Sequence, residues 1–260
     1  MTKEHSKWFQ SWFNTSYYHI LYKNRDYKEA EIFIKNIVKY LNLDKEDSIL
    51  DLACGKGRHS IFLNSLGFHV TGLDLSKNSI KDAKKKQSSS LHFNVHDMRN
   101  LYSTQFEVVL NLFTSFGYFE KDSDNFKVIQ TIKSSLKQKG IGVIDFMNSS
   151  HVIENLIPQN SYQADGVTFK LKRSYSDGFI TKDIDISDSD KTYQFQEKVR
   201  AYSFQDFEVI ISDQSANDKI KFICENFQDK LNLKYYQNLS GKKQFAANTN
   251  FAMTRSTGSI

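Results

Sequence analysis

The chain has 260 residues, 39% hydrophobic and 25% charged, with a net charge of +5 from 35 Lys and Arg against 30 Asp and Glu. That length admits one large α/β domain with an elaboration and a sizeable core. No apolar run approaches the roughly eighteen residues of a membrane helix, and Met1-Thr2-Lys3-Glu4-His5 lacks a signal pattern, so a cytoplasmic location with no membrane partner is expected. The lysines are scattered apart from Lys84-Lys85-Lys86, which reads as a solvated helix end and argues against nucleic acid as a partner. Cys54 and Cys224 stand in no pairing or metal spacing and are expected as free thiols.

Residues 3–24 are aromatic-rich, with Trp8, Phe9, Trp12, Phe13, Tyr17, Tyr18 and Tyr22. The spacing of Trp8 with Trp12 and of Phe9 with Phe13 is helical and gives one wide apolar face. Such a face either packs on the main domain or forms a lid whose aromatic walls exclude water and can cradle a cation. Asp26 to Leu43 reads as an amphipathic helix with Ile34, Ile37, Val38 and Leu41 on one side.

Ser48 to Leu52 is a short apolar strand that runs into Ala53-Cys54-Gly55-Lys56-Gly57 and then opens a helix, Arg58 to Leu66, stopped by Gly67. Gly55 and Gly57 let the backbone turn sharply and approach a ligand, as in a cofactor-binding turn. Two features depart from the dinucleotide fingerprint. Ser60 stands where the third glycine would be, and Asp51 would repel a pyrophosphate but favour an ammonium or sulfonium group.

A second strand, Phe68 to Ser76, carries Asp74 at its end, where a carboxylate can accept two ribose hydrogen bonds worth about 1.5–3 kcal/mol each. Asp74 or Ser76 could equally cap the next helix, Lys77 to Lys86. A third strand from Leu91 ends in Asp97-Met98, an acceptor for an exocyclic amine beside a soft apolar surface. His92 and His96, four residues apart on a strand, would sit about 13 Å from one another, so no shared metal is expected.

Asp51 through Gly57, Gly72 to Asp74 and Asp97-Met98, in this order and spacing, resemble the first three motifs of class I S-adenosylmethionine-dependent methyltransferases over roughly residues 48–148. More loosely, the chain resembles small-molecule members such as the amino-sugar N-methyltransferases of antibiotic pathways. The matching pieces are Tyr18 to Tyr27, His96-Asp97-Met98-Arg99 and Phe113-Thr114-Ser115-Phe116-Gly117-Tyr118. The resemblance implies S-adenosyl-L-methionine as cofactor and S-adenosyl-L-homocysteine as product. It implies cofactor contacts from Tyr18, Arg25, Asp51, Ala53, Gly55, Gly57, Asp74, Leu75, Asp97, Met98 and Leu112.

The same resemblance puts Tyr18 near the acceptor or the cofactor and Arg25 opposite the methionine carboxylate. Arg25 reads equally well as a surface ion pair with Asp26 or Glu29. Tyr118 stands where the sugar enzymes carry a histidine. A tyrosine, with a pKa near 10, can orient an amine or hydroxyl but is a poor base at neutral pH. Tyr118 and Tyr18 are the candidate catalytic residues, and packing alone is the competing role for Tyr118. Enzymes that methylate adenine or glutamine amides usually carry Asn/Asp-Pro-Pro-aromatic after the fourth strand. Leu112-Phe113 replaces those prolines, which counts against such acceptors.

The fourth strand, Gln105 to Phe113, is near-continuously apolar, as a parallel strand covered on both faces should be. A helix from Asn125 to Leu136 ends near Gly140, and Ile141 to Met147 is the fifth strand. This alternation predicts an α/β, Rossmann-like, doubly wound, mostly parallel sheet, with ligands beyond the strands' C-terminal ends. Val167 to Tyr175, Phe179 to Ile186 and Thr192 to Tyr202 predict a three-stranded antiparallel meander. It would cover the acceptor site or form a homodimer surface.

A helix near Phe204 to Ile211 and a sixth strand, Lys219 to Glu225, follow, with Gln244 to Met253 a weak candidate for an antiparallel seventh. The expected organisation is an aromatic helical lid over 1–25, a cofactor-binding core over 26–150, the meander insertion over 151–206, and the sheet's end with an atypical tail over 207–260. The expected function is in-line methyl transfer to N or O of a small-molecule acceptor. The alternatives are an RNA or protein methyltransferase, which would need a basic groove, and a non-catalytic cofactor-binding subunit.

Overall fold

The computed structural model describes residues 8–23, 27–213, 220–225 and 235–238. In chain order the elements begin with two short helices, α1 (Trp8–Trp12) and α2 (Ser16–Leu21), and the longer α3 (Tyr27–Leu41). The βα alternation follows: β1 (Ser48–Leu52), α4 (Arg58–Ser65), β2 (His69–Asp74), α5 (Lys77–Ala83), β3 (Leu91–Val95), β4 (Phe106–Asn111), α6 (Asp122–Ser134) and β5 (Leu136–Met147). Then come α7 (Ser149–Glu154), β6 (Gln159–Ala164), β7 (Val167–Ser176), β8 (Phe179–Asp188), β9 (Lys191–Arg200), α8 (Phe204–Asp213), β10 (Ile220–Glu225) and β11 (Tyr235–Asn238).

The main sheet runs β11-β10-β5-β4-β1-β2-β3. All its neighbours are parallel except β11, which pairs antiparallel with β10. The order turns at β1, which pairs with both β2 and β4, so a crevice opens past its C-terminal end. Each face carries its own core. Phe33, Ile34, Ile37 and Leu63 from α3 and α4 pack on one face, and Val128, Ile129, Ile132 and Phe207 from α6 and α8 on the other. Among the described residues no helix is long and apolar enough to cross a membrane.

Several elements differ from the sequence reading. The insertion has four antiparallel strands, β6-β7-β8-β9. The added β6 is a mostly exposed edge strand, Gln-Asn-Ser-Tyr-Gln-Ala, which needs no apolar alternation and left none to read. Helix α7, capped by the Asn148 side chain on His151 N, was not expected. Helix α6 starts at Asp122, where Asp122 and Asp124 complement its positive end. Gly140 does not end that helix. It lies within β5 at a register shift, where a Cβ would come within 2.9 Å of Glu107 O, so the strand begins at Leu136. Strand β11 pairs antiparallel with β10, and the candidate Gln244 to Met253 lies outside the described residues.

Candidate active site

A cavity of about 380 Å³ opens beyond the C-terminal ends of the parallel strands. Of the expected site residues, Tyr18, Asp51, Ala53, Gly55, Asp74, Leu75, Asp97, Met98, Leu112 and Tyr118 all line it. Gly57 does not. It sits at φ +79° as the residue before α4, and a Cβ there would lie 2.6 Å from the Phe93 ring. Its role is close packing of helix against strand, the task the sequence reading had assigned to the missing third glycine. Arg25 lies outside the described residues.

Asp51 is buried at the end of β1, and Ser60 Oγ donates to its Oδ2 at 2.5 Å. Burial pushes its carboxyl up to about 6, reinforced by the nearby charge of Asp74 and opposed by Ser60. Asp74 is likewise raised by burial, against hydrogen bonds from Ser76 N (2.7 Å) and Gly55 N (2.8 Å). Those bonds fix the carboxylate plane, and each oxygen keeps a second lone pair for a hydroxyl. The helix cap proves to be Ser76, whose side chain accepts from Ser79 N. Two desolvated carboxylates at one cavity wall repel phosphate and favour a cation that carries hydroxyls.

Gly55 is where the backbone meets the cavity, since a Cβ built there finds nothing within 4 Å. Asp97 has less spare capacity than expected. Arg99 donates through its backbone N and Nε to Oδ1 (both 3.0 Å) and through Nη2 to Oδ2 (2.6 Å), while its Nη1 reaches Asp124 at 3.1 Å. Burial raises the Asp97 carboxyl, but these bonds outweigh it and hold the group below its ordinary value. Met98 remains beside it on the cavity wall.

Three non-glycine residues on this wall have left-handed backbones: Ala53 (φ 67°), Phe113 (φ 57°) and Thr114 (φ 53°). Each such conformation costs about 1–3 kcal/mol and persists only where its surroundings over-determine it. Here they do. Ala53 N donates to Leu73 O at 2.7 Å, and Asp145 accepts from Phe113 N through its side chain (2.9 Å) and from Thr114 N through its carbonyl (3.0 Å). Sequence reasoning missed this clamp. An acid within an apolar strand, Asp145, was its only signal.

The opposite wall is aromatic. Tyr118 packs edge-on to Trp8 (5.2 Å between centroids) and tilted on Phe13 (5.6 Å), and Phe13 in turn meets Tyr18 at 4.9 Å. The two tyrosine candidates thus share one wall, bridged by the N-terminal segment. His19 also lines it, and burial, helped by the charge of Lys56, lowers its imidazole to about 4, so it is neutral at neutral pH.

Sequence reasoning also missed a polar cluster on the cavity lining. Lys182 and Glu197 pair at 3.1 Å, with Lys182 only 1% exposed. Trp12 Nε1 donates to Glu197 Oε1 (2.6 Å), Tyr22 OH to either carboxylate oxygen (2.8 Å), and Lys182 Nζ to Tyr22 OH (2.6 Å). Burial would raise Glu197, yet the Lys182 charge and these bonds hold it below the ordinary range, so it stays ionised. The N-terminal segment is also tied to the turn after β2, where Ser76 Oγ donates to Asn14 Oδ1 at 2.6 Å.

Strand order, a ligand crevice at the turn of that order and the acid-tipped β1 and β2 define a class I methyltransferase fold. Solved structures agree. A S-adenosylmethionine-dependent methyltransferase from Clostridium acetobutylicum superposes with TM-score 0.63 at 23% identity, over 75% of this chain and 83% of that one. The sugar N-methyltransferase KedS8 from Streptoalloteichus gives 0.61 at 18%, over 78% and 84%.

Residues 43–200 match the family described as "Methyltransferase domain", more than half of the chain, and the protein belongs to that family. In sequence it is 35% identical to YqeM of Bacillus subtilis (strain 168) over 125 residues, 46% of this chain and 50% of YqeM. The chain spans half to about three-fifths of the length of the first curated relatives it matches.

Proposed function

We propose that the protein transfers the methyl group of S-adenosylmethionine to a nitrogen or oxygen of a small-molecule acceptor. One observation carries the reading: the tips of β1 and β2, and the Asp97-Met98 pair after β3, open on the same cavity that Trp8, Phe13, Tyr18 and Tyr118 close from the other side. When bound, the cofactor supplies a methyl carbon already activated by its positively charged sulfur. Asp51 would face the cationic amino-acid end, Asp74 would accept from the ribose hydroxyls, and Met98 would lie against the base.

The chain's remaining task is to hold the acceptor lone pair in line with water excluded, an effect that can supply roughly 7–11 kcal/mol. Tyr118 and Tyr18 serve it by orienting the acceptor from the aromatic wall. No general base is needed when the acceptor amine arrives neutral, and the described cavity groups Glu197 and Asp97, both held in their ionised form, are weak bases. A cavity of about 380 Å³ walled by Trp8, Phe13, Tyr18 and Tyr118 suits a metabolite better than a polymer.

The test is methyl transfer from tritiated S-adenosylmethionine into a metabolite extract, an RNA pool and a protein pool. Label in a small molecule is the expected result. Label confined to RNA or protein would move the acceptor class. Tight S-adenosylhomocysteine binding with no labelled product in any pool would identify a non-catalytic subunit.

A further inference from the structure

The buried centre of the inward face of the four-stranded sheet is apolar except for one row. Leu171, Ile184 and Phe195 pair across β7, β8 and β9, and the neighbouring pair Ile180 with Val199 is apolar too. Between them lies the row Arg173, Lys182 and Glu197, in direct cross-strand register. Two cations to one carboxylate stand here in a water-poor face, with Arg173 7% and Lys182 1% exposed. Like charges opposite each other in a sheet are destabilising, and a buried charge costs several kcal/mol unless it is compensated.

Glu197 pairs directly with Lys182 and reaches Arg173 only through its field, while Arg173 is hydrogen-bonded by neutral acceptors, Asn160 Oδ1 (2.7 Å) and Ile157 O (3.3 Å), with its Nε buried and without a hydrogen-bond partner. Lys182 and Glu197 line the same cavity as Asp51 and Asp74, from the four-stranded sheet. The cavity is thus bordered on the four-stranded sheet by a row with one excess cation, Lys182 and Glu197 on the wall and Arg173 next to Lys182 in the sheet.

We propose that this row is an anchoring site for the methyl acceptor, which carries an anionic group, carboxylate or phosphate, seated against Lys182. Arg173 adds its field from behind, and Glu197 with Tyr22 fixes the ammonium. The anion makes the row electrically complete and holds the acceptor against the four-stranded sheet. This rests on the methyl-transfer reading, which it deepens by naming the acceptor's charge and the residues that select it.

The test is calorimetric titration of the full chain, first with S-adenosylhomocysteine and then, in its presence, with acetate, inorganic phosphate or acetamide as an uncharged control. At least one anion should bind wild type at least tenfold more tightly than Lys182→Met, Lys182→Arg should stay within about threefold of wild type, and acetamide should not bind. Acetate alone or phosphate alone would identify the anion's source. Binding of neither anion to wild type, or equal binding to Lys182→Met, overturns the proposal.

The wild-type titration decides the matter even if Lys182→Met fails to fold. Unchanged S-adenosylhomocysteine affinity in the variants would leave the methyl-transfer reading standing while the anchoring site falls. Loss of that affinity in wild type would sink the methyl-transfer reading first, and the anion titration would then be read on the unliganded protein.

Discussion

Along the parallel sheet, Asp51, Asp74 and Asp97 stand at or just past the ends of β1, β2 and β3 within residues 51–97, whereas elsewhere on the cavity lining Glu197 is reached by Trp12 across 185 positions of chain. The first wall is made by a repeated local device, a strand that ends, a turn and a helix. Each acid is placed by its own strand and needs only the sheet order to meet the others. The second wall exists only once α1 and α2 fold against β8 and β9. A site can thus have one half that nearby sequence specifies and another half that is a product of closure.

The largest test of this division is Asp74→Ala. Loss of two charge-assisted hydrogen bonds to a ribose should weaken S-adenosylhomocysteine binding by at least about a hundredfold in calorimetry. Anion binding at the Lys182 end should change far less. Equal losses at both ends would mean that the two walls are not separable.

A smaller effect is expected from pH. With the Asp51 carboxyl at about 6, only about a tenth of it is ionised at pH 5 and nearly all at pH 7.5. If the ionised form binds the cationic end of the ligand, affinity should be about tenfold weaker at pH 5, and Asp51→Asn should flatten the profile. The sign for stability is opposite. A carboxyl raised by folding keeps its proton where the unfolded chain has released it, so the unliganded protein should lose stability as pH rises from about 4 to 6. Thermal unfolding across that range, wild type against Asp51→Asn, checks it.

The smallest expected effect sharpens the seam between the walls. Ser76 caps α5 and also donates to Asn14 of the N-terminal segment. Ser76→Ala should cost about 1 kcal/mol of unfolding free energy. If the seam couples the walls, it should also raise hydrogen exchange in residues 8–23 more than in the parallel sheet.

The parallel strands were legible because β4, buried on both faces, leaves a near-continuous apolar run and β3 alternates, and the ends of the first three were marked by Gly55, Asp74 and Asp97. The glycines were legible as a pair but not in their division of labour. Only Phe93, packed beneath both Gly57 and Gly72, shows that Gly57 serves packing while Gly55 faces the cavity. Strand β6 and the start of β5 were missed because an exposed edge and a bulge leave no period to read. The candidate tyrosines came from resemblance, and the coordinates add that Phe13 joins them.

By itself the sequence determined the α/β alternation, the cofactor-type turn and the acids that follow it, because these depend on residues a few positions apart whose periodicity and turn chemistry are fixed locally. Tertiary structure alone decided the charged row of Arg173, Lys182 and Glu197, the clamp of Asp145 on Phe113 and the closing of Trp12 and Tyr22 over Glu197. Those depend on strand register and on contacts between distant segments, and a lysine on an alternating strand reads the same whether its face meets water or the inside of a cavity.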